Sequence, residues 1–271
     1  MLSCHHCSVK LKLPYIMMYL ILCIVLACNT TSTHTPRTPT KPNAQGYVGK
    51  STASTIANIP LPNGYTRVTA NGFGAYLRSV SLKKNNIVYL YNGTPKANQN
   101  AQYAVLDVSV SNRDLQQCAD AVMRLRAEYL YSINLFNDIL FIDNDRKPYQ
   151  FTQPYTRSHF DTYLLKVFGM CGSASLALQL NHKPNISNMV IGDVLIRGGF
   201  PGHACLVVDM AVNDNGDSIF MLAQSYMPAQ DIHILLNPLH NNTSPWYSIA
   251  DVTDRITTPE YTFSSNELRS W

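Results

Sequence analysis

The chain has 271 residues, its formal net charge is +4, and only 14% of its residues are charged. This length is enough to bury a substantial core in one or two domains. No run of Lys and Arg is present that would follow a nucleic-acid backbone, so the composition argues against a nucleic-acid partner.

The N-terminal segment has the pattern of a secretion signal. A basic start precedes an apolar run over residues 15–27, which is shorter than the roughly 18–20 residues that a membrane span needs. The run ends in Val25-Leu26-Ala27-Cys28, which resembles the lipobox of bacterial lipoproteins. We expect residues 1–27 to be a signal peptide and Cys28 to carry lipid. Secretion after cleavage nearby is the alternative.

Residues 28–50 are rich in Thr, Pro, Ser and Asn. Such a segment buries too little apolar surface to offset the entropy of ordering it, so we expect a disordered tether. Residues 51–271 then form a single globular domain. That domain contains three cysteines, Cys118, Cys171 and Cys205, and an odd number leaves at least one thiol free.

The first part of the domain predicts short elements. Residues 58–70 are expected to be an entry loop leading to a short strand, and residues 72–82 a short helix. Residues 86–93 are rich in β-branched and aromatic residues and end in Asn-Gly, which indicates a strand followed by a turn. Residues 101–110 alternate well enough for another strand.

The clearest helix is predicted over residues 111–132. Apolar side chains recur there at spacings of three and four, forming one stripe: Leu115, Cys118, Val122, Leu125 and Tyr129. Ser111 or Asn112 is a suitable N-cap. The prediction places Cys118 inside this helix on its buried stripe, and we interpret it as a small core residue.

The second half predicts helical material followed by strands. After a strand at 138–143, residues 160–180 are helical but interrupted by Gly169 and Gly172. Two glycines weaken a helix interior, so a new helix is predicted to begin near Cys171.

Further strands are predicted at 189–196, 203–211, 218–226 and 231–236, with a hairpin turn at 213–218. Helices followed by antiparallel strands indicate an α+β fold with a small N-terminal α/β extension. Residues 242–271 give no clear pattern.

Cys171 and His203 form a candidate catalytic pair. A helix start and a nearby imidazole lower the pKa of a thiol, and the glycines beside Cys171 let backbone N–H groups approach an oxyanion. His203 begins a predicted strand directly after the loop Gly-Gly-Phe-Pro-Gly. Structural roles for both residues stay open: Cys171 as a small residue at a tight helix start, and His203 as a partner of a loop carbonyl.

A third residue should orient the imidazole from the neighbouring strand. Gln224 is the candidate, with Gln230 and His233 as alternatives. The strand register decides between two arrangements. If the hairpin centres on Asn215, Gln224 lies opposite Leu206, on the face away from His203. A shift of one residue places it opposite Cys205, on the His203 face.

This order of residues resembles the NlpC-type branch of the papain-like cysteine peptidases. The resemblance covers residues 171–230: a cysteine on a helix, then Gly-Asp-Val opening one strand and Gly-His opening the next. It implies a papain-like fold, in which the helix carrying Cys171 packs on an antiparallel sheet, and an activity on cell-wall peptides or related amides. The branch usually has Asp-Cys-Ser-Gly, whereas this chain has Met170-Cys171-Gly172-Ser173.

The mature chain is also similar, nearly throughout, to the domain-of-unknown-function family 4846. The segments that carry this similarity are 61–68, 118–131, 192–211, 222–238 and 244–247. The resemblance implies a lipoprotein or secreted protein of the Gram-negative cell envelope and no established activity.

Three functions follow as hypotheses. The first is a thiol hydrolase with Cys171 as nucleophile, His203 as base and Gln224 as orienting residue. The second is a non-catalytic lipoprotein that binds a cell-wall peptide, a glycan or an envelope partner in a papain-like groove. The third is a structural envelope component. The expected location is the cell envelope, at the outer membrane or the periplasmic face, with secretion as the alternative.

No cofactor or metal is expected. The mature part of the chain contains no His-x-x-x-His pair, no Cys-x-x-Cys pair and no Gly-x-Ser-x-Gly motif.

Overall fold

The fold has four α-helices and a large antiparallel sheet. It is given by a computed structural model, which describes residues 53–271, so the predicted signal peptide, Cys28 and the tether lie outside the described residues. The helices are Gly72–Ser79 (α1), Cys118–Ser132 (α2), Arg157–Met170 (α3) and Ser173–Gln179 (α4). Within residues 53–271, no helix combines the length and apolarity needed to cross a membrane.

Thirteen strands are present in the described part of the chain: Tyr65–Arg67 (β1), Gln102–Val105 (β2), Leu140–Ile142 (β3), Pro148–Gln150 (β4), Asn181–His182 (β5), Val194–Arg197 (β6), His203–Asn213 (β7), Ser218–Gln224 (β8), His233–Leu235 (β9), Tyr247–Ser248 (β10), Arg255–Thr257 (β11), Thr262–Ser264 (β12) and Leu268–Ser270 (β13). The large sheet has the order β2-β9-β8-β7-β6-β13-β5, with β1 paired to β7 and β10 to β8. The pairs β3–β4 and β11–β12 form separate hairpins.

Both faces of the central strand β7 are covered, so residues 203–211 are all buried. One face packs on a helix-side core that includes Val122, Leu125, Leu164, Ala204 and Leu206. The other face packs on a hairpin-side core that includes Cys205, Val207, Ile256 and Phe263. A strand that is covered on both faces has a continuous run of apolar residues, whereas a half-exposed strand alternates apolar and polar residues. This explains why the sequence of β7 is apolar at nearly every position.

A β-bulge in β7 sets the register of the β7–β8 hairpin. Near the turn Val212 pairs with Ser218, which is the register centred on Asn215. The pairing shifts between Val207 and Asp209, so Leu206 faces Ala223 beyond the bulge. The extra residue moves Gln224 onto the face of His203, because side chains alternate with a period of two.

Asp209 connects this bulge to β1 and α1 through two ion pairs. Its fully buried carboxylate accepts 2.6 Å bonds from Arg67 Nε and Arg78 Nε. Arg78 also donates to the backbone oxygen of Met210, and Asp209 Oδ1 accepts the Met210 N–H. The carboxylate and both guanidinium groups therefore hold the backbone at the bulge.

Several predicted boundaries were wrong. The helix predicted from residue 111 begins at Cys118, because Ser111 has a positive φ of 69° and the segment that follows it is not helical. Residues 86–93 make isolated bridges, such as Leu90 with Gln230, in place of a strand. Residues 242–271, for which the sequence showed no clear pattern, contain β11, β12 and β13, and β13 lies inside the large sheet.

Candidate functional site

Cys171 lies between two helices and is buried in the helix-side core. Helix α3 ends at Met170 and α4 begins at Ser173, after an extended Gly172, so the break predicted near Cys171 is present and Cys171 itself lies in neither helix. Its side chain is 8% exposed. Burial, followed by the nearby carboxylates of Asp143 and Asp120, raises the pKa of Cys171 to about 12. The expected low-pKa thiol is therefore not found at this position.

His203 lies on the other face of the sheet. It is the first residue of β7 and is 2% exposed. Its ring lies 4.7 Å from the ring of Tyr226, 4.8 Å from that of Tyr261 and 5.8 Å from that of Phe263. Phe263 belongs to the hairpin-side core, whereas Cys171 belongs to the helix-side core. The structure thus separates the two residues that the sequence analysis paired.

The structure does bring Gln224 to His203. His203 Nε2 lies 2.8 Å from Gln224 Oε1, and both side chains are buried. His233, the paired residue on β9, has its Nε2 atom 3.4 Å from Gln224 Nε2. The side-chain nitrogen of Gln230, the other alternative, makes no hydrogen bond among the described residues.

Glu260, in the loop between β11 and β12, extends this polar cluster, and the sequence analysis missed it. Its Oε2 atom accepts from Gln224 Nε2 at 2.9 Å and from Lys96 Nζ at 2.5 Å, and its Oε1 atom accepts from Asn98 Nδ2 at 3.0 Å. Burial alone raises the pKa of Glu260, but the hydrogen bond and charge of Lys96 outweigh it and hold this pKa below its ordinary value. Glu260 is therefore an ionised, partly buried acceptor.

Both histidines of the cluster are neutral at pH 7. Burial lowers the pKa of His203 to about 4, against the opposing effect of its bond to Gln224. Burial and the positive charge of Lys96 likewise lower the pKa of His233 to about 4. A neutral imidazole has one nitrogen with a lone pair, so His203 has the form that a general base requires.

Cys118, predicted to be a small core residue, lies close to the backbone of β7 at Ala204. It is the first residue of α2 and is partly exposed. Backbone N–H groups of Ala119, Ala204 and Cys118 itself lie close enough to the sulfur to lower its pKa, and Ala204 directly follows His203 in the chain. Burial and the charge of Asp120 raise the pKa of Cys118 to about 11, and the three N–H groups oppose this rise.

A signal for this helix start is present in the sequence. Asp120 Oδ2 accepts the N–H of Gln117 at 3.0 Å. An acidic residue in the first turn is typical of a helix N-terminus, so Asp120 favours a start at Cys118 over one at residue 111.

Gly202, the residue before His203, has no room for a side chain. A Cβ atom there would lie 2.9 Å from the backbone oxygen of Arg197 and closer still to Gly199 O and Ser173 Oγ. We expect Gly202→Ala to cost about 1–3 kcal/mol of stability, because two of the three neighbours are backbone atoms. Gly169→Ala in α3 is the control, since nothing lies within 4 Å of its Cβ. Equal urea midpoints for the two variants would contradict this expectation.

Metal ligands are not clustered in the described part of the chain. No group of three or more His, Cys, Asp or Glu side chains there is placed to hold a metal ion.

Comparison with known families identifies the chain. The sequence profile described as "Domain of unknown function (4846)" matches residues 56–153 and 142–270. A search of curated proteins and a search of solved structures each gave no match. The matched segments together span most of the chain, and they confirm the family that the sequence motifs indicated. The chain belongs to the family described as domain of unknown function 4846.

Proposed function

We propose that the protein is a thiol-dependent amide hydrolase of the cell envelope, with a site resembling that of the NlpC-type papain-like peptidases. In this proposal Cys118 is the nucleophile, His203 the general base and Gln224 the residue that orients the imidazole. The observation that carries it is the proximity of the Cys118 sulfur to the backbone of Ala204, which places the thiol near the end of β7 at which His203 lies. The substrate class is a peptide amide, such as those of the cell wall.

The proposed reaction is acyl transfer through a thioester. The Cys118 sulfur attacks the amide carbon while its proton passes to His203, and a C–S bond forms. The backbone N–H groups of Cys118 and Ala119, at the start of α2, are the donors that we propose for the oxyanion. The amine then leaves with the proton from His203. Water then attacks the thioester carbon while His203 accepts its proton, the C–S bond breaks to release the acid, and His203 returns the proton to the Cys118 sulfur.

Before the reaction, the Cys118 thiol and the His203 imidazole are both uncharged. A thiol pKa of about 11 and an imidazole pKa of about 4 both favour the uncharged forms at pH 7. Proton transfer must therefore accompany the attack, which is general-base catalysis, in place of a preformed thiolate–imidazolium pair. Two buried donors, Gln116 Nε2 and Tyr261 Oη, make no hydrogen bond among residues 53–271.

The anchor is a separate part of the proposal. The lipobox-like segment ending in Cys28 supports a lipid attached to the first mature residue, and the Thr/Pro-rich segment supports a tether that lets the domain reach cell-wall peptides. The location that follows is the cell envelope, at the outer membrane or the periplasmic face.

A non-catalytic binding protein is the second candidate. The observation that favours it is the enclosure of His203, which is 2% exposed and is surrounded by three aromatic rings. In that case the same cluster serves to hold β7, β8 and the β11–β12 hairpin together around a groove for a peptide or glycan.

Acylation of the full chain tests the proposal. We expect p-nitrophenyl acetate to acetylate Cys118, detected as one acetyl group on the peptide that contains it. The general base contributes about 10²–10⁴-fold in typical enzymes, so His203→Gln should slow acetylation by at least about 10²-fold. Release of new amino groups from isolated cell-wall sacculi should show the same dependence on both residues.

The matched control is Cys171. Cys171→Ala should leave the rate of acetylation unchanged, whereas Cys118→Ala should abolish it. Acetylation that persists in Cys118→Ala, or that requires Cys171, would overturn the assignment of the nucleophile. If folded wild-type protein is neither acetylated nor active on sacculi, the binding function replaces the hydrolase.

A further inference from the structure

The amide of Gln224 contacts groups on three sides. Its nitrogen lies 2.9 Å from Glu260 Oε2 and 3.4 Å from His233 Nε2, and its oxygen lies 2.8 Å from His203 Nε2. The thiol of Cys205 also donates to this oxygen, at 3.6 Å. Gln224 is 1% exposed, so these contacts decide which way the amide points.

Two acceptors face the Gln224 nitrogen. The ionised carboxylate of Glu260 can only accept hydrogen bonds. His233 Nδ1 lies 2.9 Å from the backbone oxygen of Asp231, which also only accepts, so Nδ1 must hold the proton. A neutral His233 then presents the lone pair of Nε2 to Gln224. Both N–H bonds of the Gln224 amide are thereby used.

This arrangement determines the protonation of His203. With its nitrogen facing Glu260 and His233, Gln224 presents its oxygen to His203, and an amide oxygen cannot donate. His203 Nε2 must therefore carry the proton, and the lone pair lies on Nδ1. Among the hydrogen bonds of the described residues, none ends on His203 Nδ1, so this nitrogen has no competing donor.

We propose that Glu260 and His233 are positioning residues that act through Gln224 to hold His203 in the Nε2–H tautomer with Nδ1 as the basic nitrogen. The functional meaning of this arrangement rests on the proposed role of His203 as a base. The tautomer itself does not depend on that role. Lys96 and Asn98 support the arrangement, because both donate to Glu260 and keep its carboxylate in place.

The tautomer can be measured directly in the full chain. With ¹⁵N-labelled histidine, long-range ¹H–¹⁵N correlation separates protonated from lone-pair ring nitrogens, and the signals of His203 are those lost in His203→Gln. At pH 7 we expect Nε2 to be protonated and Nδ1 to hold the lone pair. Protonation at Nδ1 in the wild-type protein would overturn the inference, and this measurement requires no variant to fold.

Variants test which residues fix the tautomer. Lys96→Met with Glu260→Met removes the ion pair as a unit, so no unpaired buried charge remains. Adding His233→Phe removes the second acceptor and frees the amide to rotate. We expect the triple variant to populate the Nδ1–H tautomer of His203 and to acetylate Cys118 more slowly, whereas Lys183→Met, at the distant ion pair with Asp193, should change neither. A folded triple variant that keeps only the Nε2–H form would show that Glu260 and His233 do not position it.

The two proposals fail in different ways. Absence of acetylation at Cys118, with His203 in the Nε2–H form, refutes the hydrolase and leaves the positioning network intact. Acetylation at Cys118 with His203 in the Nδ1–H form refutes the network and leaves the hydrolase.

Discussion

Replacing Asp209 with alanine should destabilise the protein by about 3–5 kcal/mol, since breaking a buried ion pair on one side leaves its partners without a counter-charge. The carboxylate is fully buried, and it pairs with Arg67 and Arg78, whose side chains are 22% and 14% exposed. The loss also releases the bulge in β7, because Asp209 Oδ1 accepts the Met210 N–H at 2.8 Å.

Urea unfolding followed by circular dichroism measures this loss. The control is Asp161→Ala, which removes an exposed carboxylate that also pairs with an arginine, Arg157. Exposed pairs contribute about 0–1 kcal/mol, so this variant should stay close to the wild type. Equal losses for Asp209→Ala and Asp161→Ala would show that the bulge does not depend on the buried pair.

Acid should destabilise the protein strongly because His203 and His233 are buried in their neutral forms. Their pKa values are about 4 in the folded chain and about 6.5 in the unfolded chain. Between these values the unfolded chain binds more protons, so stability is complete above pH 6.5 and falls as the pH decreases toward 4. Each histidine should contribute a loss of about 2 kcal/mol at pH 5 relative to pH 7.5, by linkage from its two pKa values.

The difference between wild type and His203→Gln isolates one of these contributions. Glutamine retains an N–H donor for Gln224 and does not titrate. The free energy of unfolding of His203→Gln, measured by urea titration from pH 7.5 to 5, should fall by about 2 kcal/mol less than that of the wild type. Parallel pH profiles would mean that His203 titrates normally in the folded chain and is not enclosed as described.

The sequence by itself determined the broad organisation of the domain. Periodicity and turn residues predicted a long helix ending at 132, a hairpin turn at 213–218 and the strands around it, and all three are present. These features depend on contacts between residues close in sequence, such as the bond from Asn213 N to Asp217 O at the turn. The motifs around residues 192–211 and 222–238 also indicated the family.

The apolar periodicity did not locate the start of α2. The apolar stripe continues from Leu115 through Cys118, and periodicity alone cannot show that the residues before Cys118 are not helical. In the structure, Ala229 N donates to Asp114 Oδ1 and Ser225 Oγ donates to Gln116 O. These bonds hold the residues just before Cys118 against the β8–β9 connection. These contacts join residues more than a hundred positions apart, and they convert Cys118 from a helix-interior residue to the first residue of a helix.

The composition of the polar cluster was decided by tertiary structure. The bulge at Val207–Asp209 moves Gln224 to the face of His203, and it is held by Asp209 with arginines from β1 and α1. Glu260 reaches the same cluster from a C-terminal hairpin that has no recognisable pattern in the sequence. A one-residue shift in register reverses the face of every side chain on a strand, so the partners of His203 follow from long-range contacts that no local sequence pattern encodes.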